Sequence, residues 1–314
     1  MAVSLFWRAK SGLARKSASS FRATLSSPIT AQPSNATPSN IDPGGNAIKR
    51  PIDKENDVTS SAEESVLVER DGPVTTVAIN RPFARNACDM ATVQKLHDVF
   101  HAFEADDDAR VAVFTSVGET FCAGADLNEL SSGDSIGFCW AGEDRGVTRR
   151  RLKKRVIAAV EGHAVAAGLA LAVWCDMRVV SETAIFGVFC RRFGGPMPNG
   201  CTVRLPRIVG ESRALDMLLT GRPVDAAEAH RIGLADRVVP AGQARRAAEE
   251  LAAQLAAFPQ LAMLSDRYSA MTQWDYPEEE AIRREIEGSQ PAFEQDFQSG
   301  AGRFVGGEGR HGAF

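Results

Sequence analysis

Two short stretches of this sequence place small residues where a strand would turn into a helix, and the chemistry they offer lies in the backbone. The first is Phe121-Cys122-Ala123-Gly124-Ala125-Asp126-Leu127, after an apolar run. The second is Val160-Glu161-Gly162-His163-Ala164-Val165-Ala166-Ala167-Gly168-Leu169. At such a turn the first N–H groups of the helix have no acceptor within it, and so they can cradle an anion or a developing oxyanion. Small residues let a ligand approach that backbone. They also serve close packing of helix on sheet, so either stretch alone decides little.

Side chains with chemistry are sparser. His97 and His101 stand four apart, the spacing of a helical metal pair, but Asp98 follows the first where a zincin motif has Glu, and the pair lies in an amphipathic pattern. No metal site is expected. Gly307-Glu308-Gly309-Arg310-His311-Gly312 is glycine-rich, yet no strand precedes it and no room remains for a helix, so it is not a phosphate loop. The six cysteines (Cys88, Cys122, Cys139, Cys175, Cys190, Cys201) show no metal spacing and lie in apolar or Gly-rich surroundings, as reduced intracellular thiols do. Cys190 precedes Arg191 and Arg192 and would be a nucleophile only if a base or cationic field lowered its pKa; a buried structural thiol is the other reading. Asp126 and Asp176 read as anchors of backbone turns. The run Arg149, Arg150, Arg151, Lys153, Lys154, Arg155 reads as a solvated helix face, with contact to a phosphate-bearing ligand as the alternative.

Positioning those turns requires a sizeable folded frame. The chain has 314 residues, 44% apolar and only 7% aromatic, enough for one large domain or two modest ones. Its formal charge of -4 gives no reason to expect nucleic-acid binding. The longest uncharged apolar run, Ala164 to Cys175, falls short of the roughly 20 residues of a membrane span.

Residues 1–41 differ from the rest. They hold Arg8, Lys10, Arg15, Lys16 and Arg22, abundant Ser and no acid, and Val3, Phe6, Trp7 and Leu13 could share one face of a short helix. That is the composition of an organellar transit peptide, a disordered tail or a misassigned start being the alternatives. Mitochondrial matrix is the expected location, with the cytoplasm or another organelle as the alternative. Residues 42–64 continue a Pro-, Ser-, Asn- and Asp-rich stretch and read as a flexible linker.

From there periodicity takes over. Ser65 to Glu69 and Val74 to Asn80 form a strand pair about the Asp71-Gly72 turn. Met90 to Ala105 is an amphipathic helix with Val93, Leu96, Val99, Phe100 and Phe103 inward. Val111 to Ser116, Arg155 to Val160 and Met177 to Ser181 are strands, and a helix of small residues starts near Ala167. From Asn199 onward the pattern is helical: Cys201 to Ile208, Ser212 to Leu219, Ala226 to Ile232, Gln243 to Ala257, Gln260 to Met271 and Glu278 to Phe297. Strands alternating with helices predict an α/β fold.

Both turn segments, at this spacing, resemble the enoyl-CoA hydratase/isomerase (crotonase) superfamily. Ile79-Asn80-Arg81-Pro82 with Arg85-Asn86-Ala87 resembles its opening motif, and Trp174-Cys175-Asp176-Met177-Arg178 the strand after the second segment. Phe186 to Arg192, Thr202 to Pro206 and Gly306 to Gly312 resemble one bacterial-type branch. Leu219 to Arg222 and Ala227 to Val239 resemble the family's elements before the C-terminal helices. The resemblance covers residues 65–314. It implies a ClpP/crotonase stack of ββα units over 65–260 and a helical trimerisation region over 261–314, in a homotrimer or homohexamer.

It further implies an acyl-CoA substrate whose thioester oxygen rests between two backbone N–H groups, here those of Ala125 and Ala167. Ala123, Ala125, Asp126, Leu127, Asn128 and Ala167 would bind the substrate, coenzyme A being part of it and no cofactor being held permanently. The default activity is that of an enoyl-CoA hydratase or isomerase. Against that stand the positions of the family's acids: the first Glu falls on Ala170, the second on Cys190, and an Asp common in the branch on Asn199. Ala166-Ala167 replaces a Gly-Gly pair, and Asn128 stands where Lys is common. A catalytically impaired or purely acyl-CoA-binding member is the alternative. Asp134, Glu143 and Asp144, in the loop that covers the acyl end in this family, are candidates to replace the missing acids.

Overall fold

The Asp71-Gly72 turn joins strands β1 (Val66–Asp71) and β2 (Val74–Ile79) into an antiparallel pair, with Gly72 at φ +52°. β1 is the sheet's outer strand and mostly exposed, while every residue of β2 is buried. The computed structural model describes residues 64–132 and 146–309. The proposed leader (1–41), nearly all of the linker (42–64), Asp134, Glu143, Asp144 and the last residues of the Gly-rich tail lie outside them.

Helix α1 (Met90–Ala105) follows, capped by the Asp89 carboxylate on the Thr92 N–H. β3 (Val111–Ser116) then lies parallel to β2, and a short helix α2 (Leu127–Ser131) comes after it. β4 (Arg155–Val160), the three-residue β5 (His163–Val165), α3 (Ala167–Trp174) and β6 (Met177–Ser181) form the middle of the domain. The remaining elements are β7 (Ile185–Gly187), α4 (Cys201–Val209), α5 (Glu211–Thr220), β8 (Val224–Asp225), α6 (Ala226–Arg231) and β9 (Arg237–Val239). After them come α7 (Ala244–Ala257), α8 (Gln260–Thr272), α9 (Glu278–Ala292) and α10 (Gln298–Val305). Six strands form one sheet in the order β1-β2-β3-β4-β6-β9, parallel from β2 onward, and β5-β7-β8 form a second, smaller one.

The period-2 geometry of the strands divides the core in two. Val111 and Val113 of β3, with Ile157 and Ala159 of β4, face α7 and its Ala244, Ala248, Leu251, Ala252 and Ala256. The alternate residues Ala112, Phe114, Val156, Ala158 and Val160 face the main core, with α1 and α3. Both faces of the sheet are therefore covered, which is why β3 and β4 read as unbroken apolar runs. Phe114 meets Phe100 and Phe121 edge-on at 5.3 and 5.5 Å between ring centroids.

The basic run does not form the helix face expected of it. Residues 147–154 are turn and irregular backbone, and Arg155 opens β4 as a buried residue. Arg150 pairs with Glu104, and its carbonyl accepts from the Trp174 indole N–H at 2.7 Å. The helix expected over Glu278 to Phe297 stops being α-helical at Ala292, one residue past Pro291; Phe293–Phe297 is a π-turn that leads into α10. No helix of the described residues is long and apolar enough to cross a membrane.

Candidate functional site

Three lines of backbone hydrogen bonds bring the two small-residue segments side by side. Phe121 N–H donates to the Glu161 carbonyl at 2.8 Å and Cys122 N–H to that of His163 at 2.9 Å; Val165 N–H returns to Cys122 at 3.1 Å. On the other flank Cys88 N–H donates to Gly124 at 2.8 Å and Asp126 N–H to Cys88 at 2.9 Å. Ala123 N–H is taken by the Arg85 carbonyl at 3.1 Å. Between these engaged groups the Ala125 N–H is left with no acceptor among the described residues. Ala167 is the first residue of α3, so its N–H has no intrahelical acceptor, and no other described group takes it. The two donors are thus free, in adjoining segments.

Glycines set how close the segments come. A side chain begun at Gly168 would meet the Cys122 carbonyl oxygen at 2.1 Å. One begun at Gly124 would meet the Ala166 methyl at 3.0 Å and the Ala167 nitrogen at 3.3 Å. Ala167 itself has ordinary backbone angles; the positive φ falls on Ala166, at φ +51° and ψ -124°. That region suits glycine, and a residue with a Cβ held there carries about 1–3 kcal/mol of strain. The Ala-Ala pair keeps its N–H donor, and the surrounding hydrogen bonds, including Ala166 N–H to Gly187 at 2.9 Å, hold the strained turn in place.

The loop from Arg81 to Cys88 braces the first segment. Asn86 donates to the Val117 and Thr120 carbonyls at 2.9 and 2.6 Å and accepts from Arg81 N–H at 2.8 Å. Arg81 Nη2 lies 2.9 Å from Asp89 and 3.1 Å from Asp126. Asp126 also caps α2 by accepting from Asn128 N–H at 3.0 Å. Burial pushes the Asp126 carboxyl up, but the Asn128 N–H and Arg81 outweigh it and leave it below the usual carboxylate range. Asp126 is therefore a turn anchor, and so is Asp176, which accepts from Val156 N–H and pairs with Arg267 at 2.8 Å. Leu127 and Asn128 are exposed beside Ala125, on the rim of the segment.

The positions of the family's acids hold no carboxylate. Ala170 is wholly buried in α3. Cys190 is half-buried, its Sγ 3.4 Å from Met197 Sδ, and burial raises its thiol more than Arg191 lowers it, which disfavours the thiolate that a nucleophile needs. Asn199 is 5% exposed, and its Oδ1 has no partner among the described residues. Arg81 and the buried Arg204 were not singled out by the sequence reasoning; an Arg among apolar neighbours in Thr202 to Pro206 is the signal that could have found the second. His97 Nδ1 lies 3.2 Å from its neighbour Asp98, and His97 and His101 stack with centroids 6.2 Å apart.

The sequence profile of the enoyl-CoA hydratase/isomerase family matches residues 69–311. The chain belongs to that family. Its relatives include the enoyl-CoA hydratase EchA19 of Mycobacterium tuberculosis, 37% identical over 72% of this chain and 87% of that protein. A probable mitochondrial enoyl-CoA hydratase of Dictyostelium discoideum is 30% identical over 76% of this chain and 86% of its own length. A crystal structure of an enoyl-CoA hydratase from M. tuberculosis superposes with a TM-score of 0.73 at 31% identity, covering 77% of this chain and 96% of that one. The expected crotonase fold, mixed α/β with a helical C-terminal region, is thereby established. As a member of the family, the chain keeps two adjoining backbone segments with free N–H groups and lacks acids at the three positions carried over by resemblance.

Proposed function

We propose that this chain binds acyl-CoA and polarises the thioester carbonyl between the N–H groups of Ala125 and Ala167. The observation that carries the reading is that these two donors, in adjoining segments braced from both sides, have no acceptor among the described residues. Charge grows on a thioester oxygen as an enolate forms. A prepositioned N–H aimed at it contributes about 3–4 kcal/mol to the barrier's lowering. Enoyl-CoA hydratase or isomerase chemistry is the activity to test, coenzyme A arriving as part of the substrate and no cofactor being held permanently.

A second reading, binding without turnover, is favoured by Ala170, Cys190 and Asn199, which leave no carboxylate at those positions to activate water or supply a proton. The deciding experiment assays crotonyl-CoA hydration by wild type and by Ala170→Glu, with calorimetric titration of a saturated acyl-CoA alongside. Hydration by wild type at ordinary enzyme rates, above about 1 per second, refutes the second reading. Binding without turnover in both proteins refutes the hydratase form of the first.

Mitochondrial targeting by residues 1–41 is part of this proposal, supported by their composition and by the mitochondrial designation of the Dictyostelium relative. So is a homotrimer or homohexamer. Tyr268, Trp274, Ile286, Phe293 and Phe297 of the C-terminal helical region are all more than half exposed, an apolar surface of the kind a second copy covers.

A further inference from the structure

The turn between β4 and β5 is where the two donor segments are joined, and Glu161 stands at its start. Its carbonyl accepts from Phe121 N–H at 2.8 Å, which fixes the first segment. The next residue, Gly162, has φ +53°, and a Cβ there would lie 2.1 Å from the Glu119 carbonyl oxygen. The turn therefore rests directly on the chain leaving β3. Gly162 also accepts from Ile185 N–H at 2.9 Å. From here the second segment runs on to Ala167, tied to Cys122 on the way through His163 and Val165.

The Glu161 carboxylate serves a different element, α7. Its Oε1 accepts from the N–H of Ala244, the first residue of that helix, at 2.9 Å, and its Oε2 from Gly242 N–H at 3.2 Å. Gln243, at the head of α7, gives the helix no side-chain cap of its own. A carboxylate from the β4–β5 turn supplies it instead, at the end where free N–H groups and the helix dipole favour negative charge. Glu182 adds a longer contact, to Ala241 N–H at 3.3 Å. α7 is itself held firmly, with Ala244, Ala248, Leu251, Ala252 and Ala256 buried against the sheet. Through one side chain, the helix covering one face of the sheet grips the turn that carries both donor segments.

We propose that Glu161 is a positioning residue for the thioester site: by capping α7, its carboxylate anchors the turn from which both segments are held, and so sets the aim of the Ala125 and Ala167 N–H groups. This rests on the acyl-CoA reading above and adds to it a residue outside the donor pair. Aim matters because a donor stabilises the developing charge only where it is prepositioned, and a misplacement of about 1 Å can cost about 100-fold in rate.

The test records the thioester carbonyl stretch of bound butyryl-CoA, which has no double bond to hydrate, in wild type, Glu161→Ala, Glu161→Gln and Ala253→Gly. Ala253 is an exposed residue inside α7, so glycine there weakens the helix by propensity alone and leaves the turn's hydrogen bonds intact. In wild type the stretch is expected below its value in water. Glu161→Ala should lose about half or more of that displacement. Glu161→Gln, whose amide oxygen can take one N–H while its NH2 faces the other, should lose a smaller share. Ala253→Gly should keep the wild-type frequency although its urea midpoint falls. Where turnover is measurable, kcat of Glu161→Ala should fall about tenfold or more while KM changes less than about threefold. A wild-type frequency in both Glu161 variants overturns the proposal, as does an equal loss in Ala253→Gly, which would reduce Glu161 to general stability. Should Glu161→Ala fail to fold, Glu161→Gln decides by the same frequency. A wild type that does not bind butyryl-CoA, or binds it without displacement, sinks the thioester reading itself, a result distinct from variants that match a displaced wild type.

Discussion

Gly168 and Cys122 touch backbone to backbone: a single methyl on Gly168 would lie 2.1 Å from the Cys122 carbonyl oxygen. The helix bearing one proposed oxyanion donor is thus held against the segment bearing the other by a contact that no side chain can enter. Gly168→Ala is expected to separate the segments or fail to fold. Overpacking of this kind costs about 1–3 kcal/mol, more where backbone blocks relaxation. Urea unfolding would measure the loss. A variant as stable as wild type would show that the two segments do not approach as described.

Ala166 gives the opposite expectation. It occupies φ +51° and ψ -124° where the family pattern has glycine, so Ala166→Gly relieves strain at a position that glycine adopts freely. The predicted gain is about 1 kcal/mol, the strain released being partly offset by the greater freedom of the unfolded chain. A rise in urea midpoint with an unchanged slope would be the observation; a fall would mean that the methyl contributes packing worth more than the strain.

These two residues also show what could be read before the structure. Runs of small residues mark where backbone must come close, so both segments were visible in the sequence, and the long elements followed from periodicity: α1 and β3 have the limits expected of them. The three-residue strands β5 and β7 were not foreseen, because three residues carry no period. The basic run misled because Arg and Lys signal solvent by default, whereas Arg155 is buried with its Nη2 on the Arg110 carbonyl at 3.0 Å. Arg204 escaped notice for the same reason.

Asp126 predicts a pH dependence. Its folded-state pKa is lowered, so its contribution to stability is fully present above the unfolded value, near pH 4, and is lost as pH falls through the folded value. Asp126→Asn should therefore be less stable than wild type by about 1 kcal/mol at neutral pH, because the amide keeps the cap but leaves Arg81 to Asp89 alone. The gap should close in acid, as pH falls through the folded value. Denaturation curves at a series of pH values test this, and a gap independent of pH would remove the carboxylate from the account.

Cys190 predicts a reactivity. Burial raises its thiol above the ordinary value, with Arg191 only partly opposing. At neutral pH it should react with iodoacetamide more slowly than free cysteine, and accelerate only in alkaline solution. Peptide mapping by mass spectrometry would follow the site. Rapid labelling at pH 7 would instead reveal a thiolate and restore Cys190 as a candidate nucleophile.

The Ala167 donor can be removed almost alone. Ala167 is the first residue of α3, where proline is well tolerated because its missing N–H has no intrahelical acceptor to lose. Ala166 before it, at φ +51° and ψ -124°, lies outside the extended region to which proline restricts its predecessor, a strain confined to the turn and outside the helix. Ala167→Pro should therefore keep the helix, by circular dichroism, while deleting one of the two N–H groups proposed to hold the thioester oxygen. In wild type the carbonyl stretching frequency of a bound acyl-CoA should lie below its value in water; in the variant most of that displacement should vanish. Where turnover is measurable, kcat should fall by about 100- to 1000-fold. An undiminished carbonyl shift in a folded variant would show that the thioester oxygen rests elsewhere, whatever the family resemblance implies for Ala167.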